Sequence, residues 1–504
     1  MAVPPQVNSA SPSPFTTITC VLQTVLWNRA PGFSSTIVCY SWALVGAPLC
    51  REAFMRPKPP LRLLEFWLSK WLLSGVMERR ECDLVAWASS GAMWLTGQRD
   101  GPPSAAPARV VRALATAADD LARQTARWGQ TVVVDGPALL GERAALTGMS
   151  RNGDTSVGGS ARFVQAADGK IVVNLARPED VESLPALVGQ SLRADDWPMI
   201  AAGIARLRSA ELVDTATLLG IPFAVPSSYR LPVESPDREL HHGGPRRVVE
   251  RPLVVDLTSL WAGPLVGGLL AEAGARVVKV EGAGRPDGAR RGTPEFFDLL
   301  NHAKECVEID FANADDQAFL RRLLAAADLV LEGSRPRVMD RLGIDPCALA
   351  ETGVSWLSIN AYGRTGTAGM RVGFGDDTAV AGGLWLPGDP GGFVADAVAD
   401  PIAGLAAAAL AARLLASPQA AVVEVPLARA AAWAGSCATS DSVEARLHHD
   451  GDRWFVELGA ERVQVQVPQH RPLPATAKPV GSHNALLREE FAACPASASA
   501  VGSS

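Results

Sequence analysis

The sequence predicts an α/β protein: an open parallel, Rossmann-like sheet with helices on both faces, plus a smaller α+β domain. Three observations carry this expectation. From residue 250 onward, short apolar runs alternate with helix-length apolar stretches, the rhythm of repeated βαβ units. Upstream, residues 179–226 read as helices outside that rhythm. At 504 residues the chain is long enough for two or more folding units, each with its own core.

The elements follow in order. Leu253–Leu257 (LVVDL) has a buried-strand pattern; TSLWAGP and an apolar helix at 265–273 come after it. Residues 276–281 (RVVKVE) form the second strand and 307–311 (VEIDF) the third. Residues 315–327 read as a helix with Leu320, Leu323 and Leu324 on one face. Residues 328–331 are the fourth strand; 354–360 are the fifth, running into AYGRTGTAG. Residues 401–416 form a long Ala/Leu helix. Ligands of open α/β sheets sit outside the carboxyl ends of the strands. That places 258–264, 281–290, 332–337 and 362–366 around one crevice. Neither G-x-G-x-x-G nor G-x-x-x-x-G-K-[ST] occurs, so dinucleotide and P-loop readings have no motif.

Composition narrows the classes further. Hydrophobic residues at 48% and charged residues at 20% exclude a largely disordered chain. With 47 Lys+Arg against 53 Asp+Glu, the net charge of −6 argues against a general nucleic-acid binder. The eight Cys include no C-x-x-C pair, which fits reduced thiols in a cytoplasmic protein. The histidines form no metal-ligand cluster, so no metal is expected. Residues 1–76 differ from the rest: four Trp, three Cys and only Glu52 and Glu65 as acids. No stretch there reaches about 18 uninterrupted apolar residues, so no membrane span is expected. This segment reads as a poorly ordered extension, or as residues upstream of a true start at Met77. The expected organisation is this extension over 1–76 and a helical segment over 77–145, which the resemblance given below makes a partial first copy. A small α+β domain with a Gly-rich loop covers 146–230 and a Pro/Gly/charge-rich linker 231–249. The main domain covers 250–430 and a C-terminal segment 431–504.

The order of the pieces in the second half carries a resemblance. VVDLTSLWAGP, GARVVKVE, GRPDGARR, NHAKECVEIDF, ADLVLEGSRPRVMDRLG, INAYGRTG and VADPIAG follow one another over about 150 residues. Together they resemble the class III CoA-transferases, the carnitine/formyl-CoA transferase type, a family that includes α-methylacyl-CoA racemases. The resemblance implies that the sheet binds coenzyme A and that an aspartate carries the acyl group. That aspartate falls on Asp400, in VADPIAG, at the head of the long helix. Spare N–H groups at a helix N-terminus suit a carboxylate that must attack a thioester in a water-poor site. Asp followed by Pro is also a plain N-cap pattern. The family's CoA-binding positions correspond to Lys279, Arg290, Asn301, Lys304 and Arg341, with Arg335 beside them; solvated surface charge is the alternative for each. Gly333-Ser334 stands where the family often has Asn-Phe against adenine. Trp261 lies where the family meets the acyl group, with core packing as its alternative. The resemblance implies no permanently bound cofactor, an acyl-CoA and a carboxylic acid as partners, and a homodimer.

The first half resembles a second, partial copy. DLVAWASSGAMWLTGQRDGPP (83–103) matches the family stretch before the catalytic aspartate, which in the second half reads GDDTAVAGGLWLPG (375–388). The first copy continues ARVVRALATAADD, with Asp119 and Asp120 too far along to match a nucleophile. RNGDTSVGGSARFVQAADGKIVVNL (151–175) resembles the family's glycine-rich loop and small-domain strand pair, with Gly158 and Gly159 in the loop. Such glycines admit backbone N–H groups to an oxyanion, or simply form a hairpin loop. No second small domain is expected after residue 432. The functions in play are a CoA-transferase acting through an aspartyl anhydride, an α-methylacyl-CoA racemase, and a non-catalytic CoA-binding paralogue. The racemase reading lacks the expected histidine, since that segment reads Gly373-Phe374-Gly375.

Overall fold

The computed structural model describes residues 83–105, 109–189, 196–227, 233–246, 248–389, 391–435, 446–459 and 461–492, together with two short paired segments near the N-terminus. Residues 1–74 form one unit, in which Val21–Leu22 pairs antiparallel with Tyr40–Ser41. Residues 75–504 form the other. The rest of the expected 1–76 extension and Met77 lie outside the described residues.

Three small strands come first: β1 (Ala161–Ala166), β2 (Gly169–Asn174) and β3 (Phe223–Ala224), in one antiparallel sheet. Helices Pro178–Val188, Trp197–Ile204 and Ser209–Leu219 bury Leu184, Ile200 and Leu212 against Ile171 and Val173 of that sheet. The main sheet has seven strands. These are β4 (Arg238–Pro245), β5 (Leu253–Leu257), β6 (Arg276–Gly282), β7 (Glu305–Ile309), β8 (Leu329–Glu332), β9 (Ser355–Asn360) and β10 (Gln419–Pro426). Their order is β4-β10-β9-β8-β5-β6-β7, and every pairing except β10 with β4 is parallel. The fold is the α/β architecture the sequence predicts.

A parallel sheet buried on both faces needs continuous apolar strands whose successive side chains serve opposite cores. Val254, Leu329 and Leu357 point into one core, while their neighbours Val255, Val330 and Trp356 point into the other. The first core is roofed by α1 (Arg109–Thr125), α2 (Ala262–Glu272), α4 (Ala399–Leu415) and α5 (Leu427–Gly435). The short helix α3 (Gly375–Ala381) packs on α5 and against the small sheet. The chain builds β5, β6 and β7 outward in one direction, then returns to lay β8 on the other flank of β5. That reversal opens a crevice at the carboxyl ends of β5 and β8, beside Thr258 and Gly333.

Two expectations are corrected. The linker expected over 231–249 contains β4, an edge strand antiparallel to β10 with register shifts near Gln419 and Val422. Its His, Gly and Pro content is tolerable because an edge strand completes only one ladder and bulges accommodate the rest. A second small sheet also exists: Arg446–Asp450, Arg453–Leu458 and Glu461–Gln464 form an antiparallel meander, although none was expected after residue 432. Its signal was the Asp450-Gly451-Asp452 turn between strand-like runs.

Candidate active site

The candidate site is built around the amino end of α4. Asp400 sits in its first turn, half-buried, while nearly all of the rest of the helix is fully buried. The bend before it is strained: Ala395 and Ala397 adopt φ of 51° and 42°, a region that L-residues with a Cβ seldom occupy. Thr96 Oγ1 accepts from the Ala395 N–H (3.0 Å), and Asp376 Oδ1 accepts from the Ala397 N–H (3.0 Å). Asp396, between the two alanines, is fully buried and paired with Arg143 by a two-pronged contact, Nε to Oδ2 at 2.8 Å and Nη2 to Oδ1 at 2.5 Å.

Four acids therefore crowd one place: Asp376, Asp377, Asp396 and Asp400. Burial pushes the Asp400 carboxyl up to about 7; Arg143 opposes the rise, Asp377 and Asp396 add to it, and the Gly375 N–H donates to the carboxylate. Asp376 is pushed up to about 7 by burial and by Asp396. Asp377 is pushed to about 6 by burial, although Asn174 Nδ2 (2.8 Å) and the Phe374 N–H (2.9 Å) donate to its Oδ1. Gly375 has to be glycine for a spatial reason. A Cβ there would lie 2.3 Å from Asp400 Oδ2 and 2.3 Å from the Ala397 carbonyl oxygen.

Residues from three sequence regions meet at Arg143. Trp261, only 2% exposed, offers its ring to the guanidinium at 5.1 Å and packs edge-on against Phe296. Its indole N–H has no partner among the described residues. Gly158 lies so close that a Cβ would come within 3.2 Å of Arg143 Nη2, whereas Gly159 has open space around it at φ 82°. So Asp400, Trp261 and Gly158, each singled out in the sequence, converge on an arginine that was not.

The expected CoA-binding cations divide. Lys279 and Lys304 are buried. Lys304 pairs with Asp256 at 2.8 Å and donates to the Pro264 carbonyl at 2.8 Å. Lys279 pairs with Asp287 at 2.8 Å and donates to the Thr258 carbonyl at 3.0 Å. Both ammonium groups thus fasten the ends of the loop that carries Trp261, and neither faces the crevice, because a buried charge must be neutralised where it sits. Asn301 is equally buried, with Nδ2 donating to the Phe297 carbonyl at 2.9 Å. Arg290 pairs with Glu281 at 2.6 Å and stacks over Phe297 at 4.1 Å. Arg341 is exposed in the last turn of helix Pro336–Leu342.

Arg335 differs from these. It lines a cleft of about 810 Å³ with Arg177, Arg285, Arg337 and Arg364, between the strand ends of the main sheet and the helices of the small domain. Arg364 is paired with Glu332 and Arg177 with Asp180. Burial together with Arg337, Arg177 and Arg285 lowers the affinity of Arg335 for its proton. The Arg177 guanidinium also lies 5.5 Å from the ring of Phe374, one residue before Gly375.

Sequence reasoning missed Arg143, Arg177, Arg285 and the acids around Asp400. Asp396, four residues before Asp400, and the Asp376-Asp377 pair were visible as acids near the motif. Arg143 stands in an unremarkable G-E-R-A-A-L stretch and carried no signal. Among the described residues, no cluster of metal-ligating side chains occurs, and no helix is long and apolar enough to cross a membrane.

Residues 252–453 match the sequence profile of CoA-transferase family III. Similar curated proteins include succinyl-CoA–D-citramalate CoA-transferase of Chloroflexus aurantiacus, 31% identical over 149 residues, 28% of this chain and 37% of that protein. Acetyl-CoA:oxalate CoA-transferase of Acetobacter aceti is 33% identical over 122 residues, 23% of this chain and 31% of the relative. The probable fatty acyl-CoA transferase Rv3272 of Mycobacterium tuberculosis is 34% identical over 142 residues, 26% of this chain and 36% of the relative. A crystal structure of Rv3272 superposes with a TM-score of 0.37 at 26% identity, covering 42% of this chain and 65% of that one. The chain spans about a third of the length of the curated relatives it matches.

Proposed function

Because the chain belongs to CoA-transferase family III, we propose that it moves CoA from an acyl-CoA to a carboxylic acid with Asp400 as nucleophile. The observation that carries this reading is the Asp400 carboxylate, half-buried at the amino end of α4 and facing Arg143. One Asp400 oxygen attacks the thioester carbonyl, the C–S bond breaks, and CoA leaves as thiolate. The product is a mixed anhydride between Asp400 and the acyl group. The thiolate then attacks the aspartyl carbonyl, releasing the donor acid and leaving an aspartyl-CoA thioester. The acceptor carboxylate attacks that thioester, expelling thiolate and forming a second anhydride. Thiolate attack on the acceptor's acyl carbon gives the new acyl-CoA and free Asp400.

The chain's own groups suit these steps. A carboxylate stripped of water is a better nucleophile than one in bulk solvent. The unpartnered Trp261 N–H is a donor for the acyl oxygen. The arginine-lined cleft takes the CoA phosphates, which planar guanidinium groups bind by paired hydrogen bonds. In this reading Arg335 contacts CoA directly, and Lys279, Lys304 and Asn301 act by holding the Trp261 loop and its surroundings. One observation favours a second reading. Asp376, pushed up to about 7 beside Asp400, is a second acid/base group of the kind that proton exchange at Cα requires.

The test is incubation with a panel of acyl-CoAs followed by hydroxylamine trapping and peptide mass spectrometry. An aspartyl hydroxamate on the Asp400 peptide, absent from Asp400→Ala, is the expected result. Intact CoA binding with no adduct, but with deuterium exchange at Cα, would replace transfer by the second reading.

A further inference from the structure

Resting on Asp400 as the nucleophile, we propose that Arg143 is a positioning residue: through Asp396 it clamps the bend at Ala395–Ala397, and it supplies the positive field that Asp400 faces. The geometry is specific. Arg143 lies on helix Glu142–Thr147, more than 250 residues from its partner in the chain. Its fork meets both oxygens of a carboxylate that is itself fully buried between two residues of strained backbone. A left-handed non-glycine residue costs on the order of 1–3 kcal/mol and persists only where its surroundings over-determine it. Three anchors do so here: Arg143 on Asp396, Thr96 on the Ala395 N–H, and Asp376 on the Ala397 N–H. Two of the three come from the region before residue 150. The Ala397 carbonyl in turn accepts from the Asp400 N–H at 2.9 Å, so the bend sets where the first turn of α4 begins.

The charges point the same way. From the elements packed around it, Asp400 faces Asp377 of α3, Asp396 of the bend, and Arg143, and Asp376 of α3 faces that same arginine. Arg112 on α1 and Glu272 on α2 are engaged instead with Asp83 and Arg471. Asp377 and Asp396 therefore oppose a charge on Asp400, and Arg143 favours it. Burial works against the guanidinium's own charge, but Asp396, Asp376 and Asp400 together more than restore it. Trp261 and Gly158 close over this arginine, so a shift of Arg143 also moves the walls of the site.

The test uses the full chain with Arg143→Gln, Arg143→Lys and Asp396→Asn. Asp400 ionisation is read without substrate by ¹³C NMR of protein carrying carboxyl-labelled aspartate, the resonance being assigned by its loss in Asp400→Asn. The expected midpoint rises by about one pH unit or more in Arg143→Gln and returns most of the way in Arg143→Lys. Asp396→Asn moves it down, because a negative neighbour is lost while the guanidinium stays. The acid limb of adduct formation follows the same shifts, with the KM for acyl-CoA changed less than about twofold. An unmoved midpoint in folded Arg143→Gln, or an equal loss of rate at every pH, overturns the proposal. If Arg143→Gln does not fold, Asp396→Asn decides: a midpoint that stays or rises overturns it. If the midpoints shift as stated but the wild type forms no adduct, the transferase reading fails while the role of Arg143 stands.

Discussion

Helices α1 and α4 make an instructive pair. Each has 17 residues, they pack against one another, and each follows a Trp-Leu-x-Gly turn. In the ungapped register of those turns, Arg109 falls in the place of Asp400. Yet α1 is amphipathic, burying Val110, Leu114 and Leu121 and leaving its other face to solvent, with no acid before Asp119. Only Arg413 of α4 is exposed. The same length and packing thus give different chemistry. Arg109 and Asp400 are themselves both half-buried; what differs is the surroundings, since the Asp400 carboxyl lies among Arg143, Asp377 and Asp396 and is met by protein groups. Asp400 gains its unusual ionisation from depth, and α1 supplies part of that depth by covering α4.

The sharpest way to break this contrast is to fill the space that admits Asp400. Gly375→Ala places a Cβ against both Asp400 and the Ala397 carbonyl, and a misplacement of about 1 Å in a catalytic group is enough for a 100-fold loss. Adduct formation is expected to fall by about that factor, measured by single-turnover trapping in protein whose circular dichroism is native.

Next in size is the pH dependence of stability. Asp376, Asp377 and Asp400 are all raised in the folded protein above the ordinary aspartate value of 3.8. Between about pH 4 and 7 the native state therefore binds more protons than the unfolded chain, and stability falls as pH rises through that window. The stabilising protons are fully in place below the unfolded values and lost above the folded ones. Urea denaturation at pH 5 and pH 8 is expected to differ by a few kcal/mol, and Asp376→Asn should shrink the gap. A curve that instead rises over this range would show that the acids are not desolvated as described.

The smallest expected effect lies at the other helix. Arg109→Ala should leave stability within about 0.5 kcal/mol and turnover within about twofold, as for an ordinary surface charge. A large loss of turnover would mean that the end of α1 takes part in the chemistry after all.

Most of the main sheet was legible in the sequence. Strands β5, β6, β8 and β9 are apolar runs that need no tertiary context, because strands buried on both faces carry no polar alternation to confuse them. Asp400 was legible through its motif. The two corrected regions failed for local reasons. Arg238–Pro245 is polar and rich in glycine, so its strand character depends on the neighbour β10. The strand Arg446–Asp450 is exposed along its whole length and carried no burial pattern. Lys279 and Lys304, expected at the CoA phosphates, sit in buried ion pairs. Lysine in a loop-rich crevice looks the same in sequence whether it faces a phosphate or neutralises Asp256.

The sequence by itself determined the α/β rhythm, the strand-end loops and the aspartate at the head of α4, because these follow from local periodicity and short-range motif spacing. Only the tertiary structure decided which charges meet. Arg143 and Asp396, Lys304 and Asp256, and the arginines of the cleft are brought together by strand order and by the packing of the first half on the second. A pair's energy depends on distance and on the water removed from between its members, and neither quantity is written in sequence spacing.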